Sequence, residues 1–536
     1  MNKKDSSGNK AIIIIIIFFL VAPHLISLIG SGVENIVNNV NNEKYFTILS
    51  TNANEFYDQQ LYDFAKKEKI NLVIEHHDDL EIVDILNSGN GKYDAVWMAN
   101  SIWLYMLNNS YLVTNSKSIA ISPIVMAIKK DKAQELDLIN KDVYNHDLLN
   151  LIKEGKLKYV MNSVTKTNTG ATAYLALLNS LAGSPEVLRE EMLENQKLKN
   201  DLKEFFKGVE RVSGDENYLE KMFLNGDYEA VIDNESSLIA LNKKLLTKNQ
   251  QPLYLLYPLD GVAINDFPFG YVNRDQKKEE DFLKIQKFLR GDTTSSELKN
   301  NGFRTWFGGV TNNVDNNVFN KDWGIDTTKY LMPLKYPSKV IIDRALELYI
   351  EELRKPTHTI FVLDVSGSMS SNNGLVELKE SMNFILDREQ AKQEMIQFSD
   401  QDKITIITFN SKTKDISETY SGSNTLALRS FTNQLIGSGG TNIYDPSIKA
   451  LEILKNESNE YIKTIILMTD GESNTGSYTS LENYYKSNNL DIPIYSITFG
   501  SSSEFQLSQI ASLTNAKIFD GKTGMITAFK EVRSYN

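Results

Sequence analysis

The stretch that most constrains how this chain can fold is Thr359-Ile360-Phe361-Val362-Leu363-Asp364-Val365-Ser366-Gly367-Ser368-Met369. Mostly apolar residues, too few for a lone helix, run into an acidic residue and then two hydroxyls at alternate positions. The pattern predicts a buried parallel strand whose C-terminal end opens into a loop of oxygen donors. A carboxylate and two hydroxyls, with no His or Cys nearby, suit a hard divalent cation such as Mg²⁺. Ser-x-Ser ahead of helical sequence is also a capping pattern. Taken alone, the stretch leaves both readings open.

The rest of the 536-residue chain supplies the context, with room for roughly two to four domains. Its content, 41% hydrophobic and 24% charged, is that of a globular protein with true cores. A net charge of -12 argues against nucleic acid as a partner, because that would require a basic face. The absence of cysteine excludes disulfides, thiolate metal sites, a Cys nucleophile and a lipid-anchored Cys.

Residues 11–29 are nearly all apolar and include six consecutive isoleucines, Ile12 to Ile17. Lys3, Lys4 and Lys10 precede them, and Asn-rich sequence with Glu34 follows. The charge asymmetry predicts a cytosolic stub and membrane anchor over 1–31, single-pass at the cell membrane, with everything beyond outside. Gly30-Ser31-Gly32 offers the alternative of a cleaved signal and a secreted protein.

From residue 45 to 300, short apolar runs alternate with helical sequence, which implies α/β layers with strands in a parallel sheet. Lys44–Thr51, Ile70–Glu75 and Tyr93–Met98 read as strands, and Asn52, Asn54, Asn100 and Ser101 stand at strand ends. Ser122–Lys130 begins a second unit. Tyr159–Met161 then leads through Thr167, Asn168 and Thr169 into a helix, and Tyr228–Ile232 ends at Asp233-Asn234. Hydroxyls and amides at a helix N-terminus can cradle an anion or polar ligand, and they can equally be ordinary caps.

Three other signals carry less. Glu75-His76-His77-Asp78-Asp79 offers metal-type side chains, but strand neighbours point to opposite faces, so a solvated loop is expected there. Gly89-Asn90-Gly91-Lys92 lacks the upstream glycine and the Ser/Thr of a phosphate loop. No serine sits in a G-x-S-x-G elbow.

Strand-NAN-helix, YDAVWMANS, SPIVMAIKKDKA, the TNTG helix start and YEAVIDNESS, in that order, resemble a bilobal extracellular solute-binding protein over residues 45–300. The resemblance implies two α/β lobes with a small polar solute in the interlobe cleft. Candidate ligand positions are Asn52, Asn54, Asn100, Ser101, Ser122, Thr167, Asn168, Thr169 and Asn234. Residues 301–354, with Gly308-Gly309 and an Asn-rich Thr311–Asn320, read as a linker ending in a connecting helix, Ser338–Arg354.

Residues 355–536 read as an open α/β sheet, with strands at Lys403–Phe409, Tyr461–Met468, Ile492–Phe499 and Ala516–Phe519. Three loops fall at one edge: Asp364-Val365-Ser366-Gly367-Ser368, Gly440-Thr441 and Asp470-Gly471. Their donors meet the octahedral oxygen demand of Mg²⁺ with a position to spare. These motifs resemble the von Willebrand factor A family. The resemblance implies an open, mostly parallel, Rossmann-like sheet and a metal-ion-dependent adhesion site of Asp364, Ser366, Ser368, Thr441 and Asp470. That site would take Mg²⁺, or another divalent cation such as Mn²⁺ or Ca²⁺, and its open position would take a carboxylate from a protein partner. No general base is held against a nucleophile in these motifs, so catalysis is not implied. The expected function is therefore metal-dependent partner binding with a solute-binding-like second module. The alternatives are solute delivery to a membrane transporter and a scaffold for an intracellular ATPase.

Overall fold

The computed structural model describes residues 45–89, 92–273, 278–305, 315–329, 331–371, 373–498 and 504–535. The chain forms two compact units, one of residues up to 99 with 107–119 and 267–294, the other of 100–106, 120–266 and 295–536.

The first unit holds a five-stranded sheet in the order Leu72–His77, Phe46–Thr51, Ala95–Trp97, Pro268–Val272, Val113–Ser118. Its first three strands are parallel, as the alternation of strand and helix implies, whereas Pro268–Val272 runs antiparallel to both neighbours. His76 and His77 continue the strand instead of forming a loop, because they pair in register with Ser50 and Thr51.

The second unit carries two sheets. One is built on the long strand Ala120–Lys129, which pairs antiparallel with Ala230–Asn234, Leu253–Leu256, Ile264–Asn265 and Arg304–Thr305. Tyr159–Asn162 lies parallel to Ala230–Asn234 and to Val209–Ser213. Arg304 donates to both carboxylate oxygens of Glu235, at 2.8 and 2.7 Å, with both side chains buried. Satisfied in this bidentate way, the pair fastens residue 304 to the sheet.

The other sheet runs Thr413–Ile416, Lys403–Phe409, Thr357–Asp364, Ile462–Thr469, Ile494–Thr498, Ile518–Asp520. All but the edge strand are parallel, and the short Tyr420–Ser421 also pairs with Lys403–Phe409. Thr357–Asp364 is central and buried along its whole length. Burying residues such as Phe361 and Leu363 contributes about 1.5–3 kcal/mol each. This is the open α/β sheet expected of the C-terminal domain.

A single apolar cluster runs from Val125, Val160 and Tyr218 to Phe361, Tyr495, Phe529 and Tyr535, so the two sheets of this unit share a core. Polar contacts reinforce the junction. Arg211 donates to the Tyr495 hydroxyl at 3.0 Å and the Asn515 carbonyl at 2.7 Å, and approaches Tyr228 and Asp491 at 3.4 Å. The Tyr218 hydroxyl donates to the Ala516 carbonyl, and Lys517 pairs with Asp215. The helix Lys339–Leu348 receives the Tyr174 hydroxyl on its Ala345 carbonyl.

No helix among the described residues is long and apolar enough to cross a membrane. The longest α-helix among the described residues, Asn168–Leu181, has 14 residues, about 21 Å against a hydrocarbon core of about 30 Å. The single-pass placement is corrected accordingly. Residues 11–29, which prompted it, lie outside the described residues, as do 90–91 of the glycine loop and 306–314 of the linker.

Because Arg211 is buried and its partners Tyr495 and Tyr228 are buried with it, Arg211→Met should destabilise the second unit by about 3 kcal/mol. Urea denaturation of the full chain measures this. A change below about 0.5 kcal/mol would place the strength of the junction in its apolar cluster alone.

Candidate functional site

Asp364 ends the central strand, and its carboxylate is fixed on both oxygens. Oδ1 accepts the Ser366 backbone N–H at 2.7 Å, and Oδ2 accepts the Thr469 hydroxyl at 2.6 Å from the neighbouring strand end. Ser366 Oγ lies 3.0 Å from Ser368 Oγ, which donates to Asp470 Oδ1 at 2.8 Å. Thr441 comes from a loop held by its own backbone: its carbonyl accepts the N–H groups of Asn474 and Thr475. Gly471 lies between the donors, since a Cβ there would stand 3.4 Å from Ser368 Oγ and 3.5 Å from Thr441 Oγ1. The first and second loops are tied by Gly367 N–H to the Gly439 carbonyl and Ser438 N–H to the Val365 carbonyl. Five residues separated by up to 106 positions in sequence thus gather at one sheet edge.

The electrostatics of this cluster are those of a site short of positive charge. Burial pushes the Asp364 carboxyl up to about 6, against the lowering effect of its hydrogen bonds, and nearby Asp470 pushes the same way. Burial likewise raises Asp470. Asp470 Oδ2 is buried and has no hydrogen-bond partner among the described residues. Leaving such an oxygen unmatched costs about 1–3 kcal/mol or more. Two carboxylates and three hydroxyls are hard oxygen donors, so the residues present fit a hard divalent cation. Among the described residues no group of three or more His, Cys, Asp or Glu side chains could hold a metal ion; this site has only two carboxylates. Sequence reading did not assign Thr469 a role, although it stands beside Asp470.

The other candidate positions are engaged with protein groups. In the second unit, Asn265 is a hub: its Oδ1 accepts Nδ2 of both Asn100 and Asn168 at 3.0 Å, and its Nδ2 donates to Asn234 Oδ1 at 2.6 Å. Asn234 Nδ2 donates to Thr169 Oγ1, and the Trp103 indole N–H donates to Asn168 Oδ1. Thr167 caps the helix by accepting the Gly170 N–H at 3.0 Å, and Glu216 accepts the Thr169 N–H at 2.8 Å. Gly170 is required there, because a Cβ would stand 2.3 Å from the Ser163 carbonyl oxygen. Ser101 donates to Asp266, and Ser122 Oγ lies 3.1 Å from Ser236 Oγ. Asn265, Trp103 and Glu216 were missed in the sequence. The only signal was the polar residue following Val262–Ile264, and it carries no spacing.

In the first unit, Asn52 donates to Asp78, and Asn54 donates to the Trp97 carbonyl at 3.2 Å. His76 Nε2 lies 2.8 Å from Asp58 Oδ2, and Nδ1 lies 3.0 Å from the Thr51 carbonyl. Both partners are acceptors only, so satisfying both bonds requires the doubly protonated ring. Burial opposes that charge, but the bonds to Asp58 and Thr51 and the charges of Asp58 and Glu55 outweigh it, raising the His76 pKa.

With this geometry described, comparison with known proteins identifies its parts. Residues 359–531 match the von Willebrand factor type A domain, and residues 48–304 match the bacterial extracellular solute-binding proteins. The chain therefore joins a solute-binding-protein region to a von Willebrand factor A domain. The inter-alpha-trypsin inhibitor heavy chains H3 of Mus musculus and H4 of Bos taurus are 26% and 27% identical over 172 residues. Each match covers 30% of this chain and 18% of the relative. Among solved structures, the periplasmic binding protein AfuA from Actinobacillus pleuropneumoniae aligns with a TM-score of 0.43 at 12% identity, covering 58% of this chain and 98% of that one. A von Willebrand factor type A protein from Catenulispora acidiphila aligns with a TM-score of 0.29 at 15% identity, covering 34% and 43%.

Because its folded pKa is raised, His76 adds stability that is complete below about pH 6.5 and is lost as pH rises through the higher folded value. NMR titration should find the His76 midpoint above about 6.5. In His76→Asn, the loss of stability across that window should disappear. A midpoint below 6.5 would mean that burial outweighs the two acceptors.

Proposed function

We propose that this chain is a non-catalytic binding protein whose C-terminal domain engages a protein partner's carboxylate through a divalent cation. The residues that would hold Mg²⁺, or Mn²⁺ or Ca²⁺, are Asp364, Ser366, Ser368, Thr441 and Asp470. A bound cation supplies charge and an open coordination position for an oxygen of the partner. Asp364 is oriented by Thr469 and the Ser366 N–H, the two serine hydroxyls lie 3.0 Å apart, and that of Ser368 donates to Asp470. The observation that carries this reading is the buried, unpartnered Asp470 Oδ2 beside those hydroxyls. The match to the von Willebrand factor type A domain supports it.

A second reading, a receptor for a small polar solute serving a transporter, is favoured by the match over residues 48–304. The description of that family also supports an extracellular place for the chain. Against a free set of ligand groups stands the Asn265 network, in which Asn100, Asn168 and Asn234 are all bonded to Asn265. We therefore assign this region the role of a second recognition or sensing module.

Calorimetric titration of the metal-stripped chain with Mg²⁺ tests the first reading. One site is expected, with affinity falling at least about tenfold in Asp364→Ala. Mg²⁺ at 100 times its Kd should add about 2.7 kcal/mol of stability. Unchanged Mg²⁺ binding in Asp364→Ala would sink the assignment. Native mass spectrometry with and without chelator reports any co-purified solute, and a retained polar small molecule would favour the second reading.

A further inference from the structure

Beside the five donors stand two apolar side chains that the metal reading does not use: Ile436, on the loop that leads to Thr441, and Phe505, in the helix Glu504–Leu513. Ile436 is 75% exposed and Phe505 70% exposed, and with Leu426 they are the most exposed large apolar residues of the C-terminal domain. Their positions tie them to the site from two sides. Ile436 precedes Gly437, where a Cβ would stand 2.9 Å from the Ser366 carbonyl oxygen and 2.3 Å from Ser370 Oγ. Phe505 precedes Gln506, whose amide clasps Ser473, accepting its N–H at 2.8 Å and donating to its carbonyl at 3.0 Å. Ser473 lies three residues beyond Asp470. Ile436 therefore belongs to the loop against Ser366, and Phe505 to the helix start clamped against the Asp470 loop.

Charge identifies what such a face would take. The loops 364–370, 435–442 and 470–477 contain no Lys, Arg or His, and they contain Asp364, Asp470 and Glu472. Without a cation, these loops would repel an acidic group. Three of the five donors are neutral hydroxyls, so they leave a bound divalent cation more charge for an incoming anion than a cage of carboxylates would.

We propose that this face docks a protein segment in which one carboxylate is flanked on both sides by apolar side chains, with Ile436 and Phe505 receiving the flanks. The proposal rests on the metal reading and adds the specificity of the partner. Two apolar contacts of this size favour the flanked segment over a bare carboxylate by about tenfold.

Fluorescence anisotropy of the full chain with three labelled peptides tests it: Gly-Gly-Asp-Gly-Gly, Gly-Leu-Asp-Phe-Gly and Gly-Leu-Asn-Phe-Gly. In Mg²⁺, the Leu-Asp-Phe peptide should bind about tenfold more tightly than the Gly-flanked one, and EDTA should abolish both. Both altered residues are exposed, so Ile436→Ser with Phe505→Ser should fold and bind Mg²⁺ normally. It should bring the two Asp peptides within about twofold of each other. Equal binding of the two Asp peptides by the unaltered chain, or a preference that survives the double substitution, overturns the apolar flanks and leaves the metal reading standing. Binding of the Asn peptide as tight as its Asp counterpart, binding that resists EDTA, or no binding of any Asp peptide overturns the metal reading itself.

Discussion

Much of the C-terminal domain depends on one carboxylate placed where water cannot reach it. Asp364 stands at the end of a strand buried from Thr357 onward and paired in parallel on both sides. Such a strand forms because its side chains are apolar on both faces, and it therefore delivers its last residue into a low-dielectric edge. There the carboxylate is bound by the Ser366 N–H and the Thr469 hydroxyl, which orients it without neutralising it. Burial raises the pKa values of Asp364 and Asp470 together, and one oxygen of Asp470 remains unmatched. A divalent cation would relieve both costs at once, which is why the proposed binding function rests on these same residues.

A second constraint acts through Arg211. Its guanidinium is enclosed between strand Val209–Ser213 of one sheet and Tyr495 and Asn515 of the other, within a shared apolar cluster. A buried cation with several acceptors tolerates little displacement, because each lost bond leaves a polar group dry. The von Willebrand factor A domain is consequently continuous in packing with the sheet built on Ala120–Lys129. The strand Val209–Ser213 leads directly to Glu216, which accepts the Thr169 N–H at the start of the Asn168–Leu181 helix. The positions suspected of ligand contact and the junction with the von Willebrand factor A domain are thus a few residues apart.

The alternation of strand and helix, the D-x-S-x-S loop and the T-D-G loop were all legible, because each depends on local periodicity or fixed short spacing. Lys403–Phe409 is a strand over the very residues its β-branched pattern predicts. What escaped depends on distant partners. Val209–Ser213 and Pro268–Val272 are strands because of what they pair with. His76 extends its strand through the register with Ser50. Asn265 looks like any polar residue at a strand end until three other amides close around it.

By itself, the sequence determined which residues could act: the apolar run that must be buried, the hydroxyls and carboxylates at its end, and the order of the two α/β regions. Those properties follow from side-chain chemistry and spacing along the chain. Only the tertiary structure decided that Asp470 would keep an unmatched oxygen beside Ser368, that the amides of Asn100, Asn168 and Asn234 would bond through Asn265, and that Ile436 and Phe505 would stay exposed. The reason is physical: whether a polar or apolar group is satisfied depends on which atoms surround it in space. Spacing along the chain does not specify those neighbours.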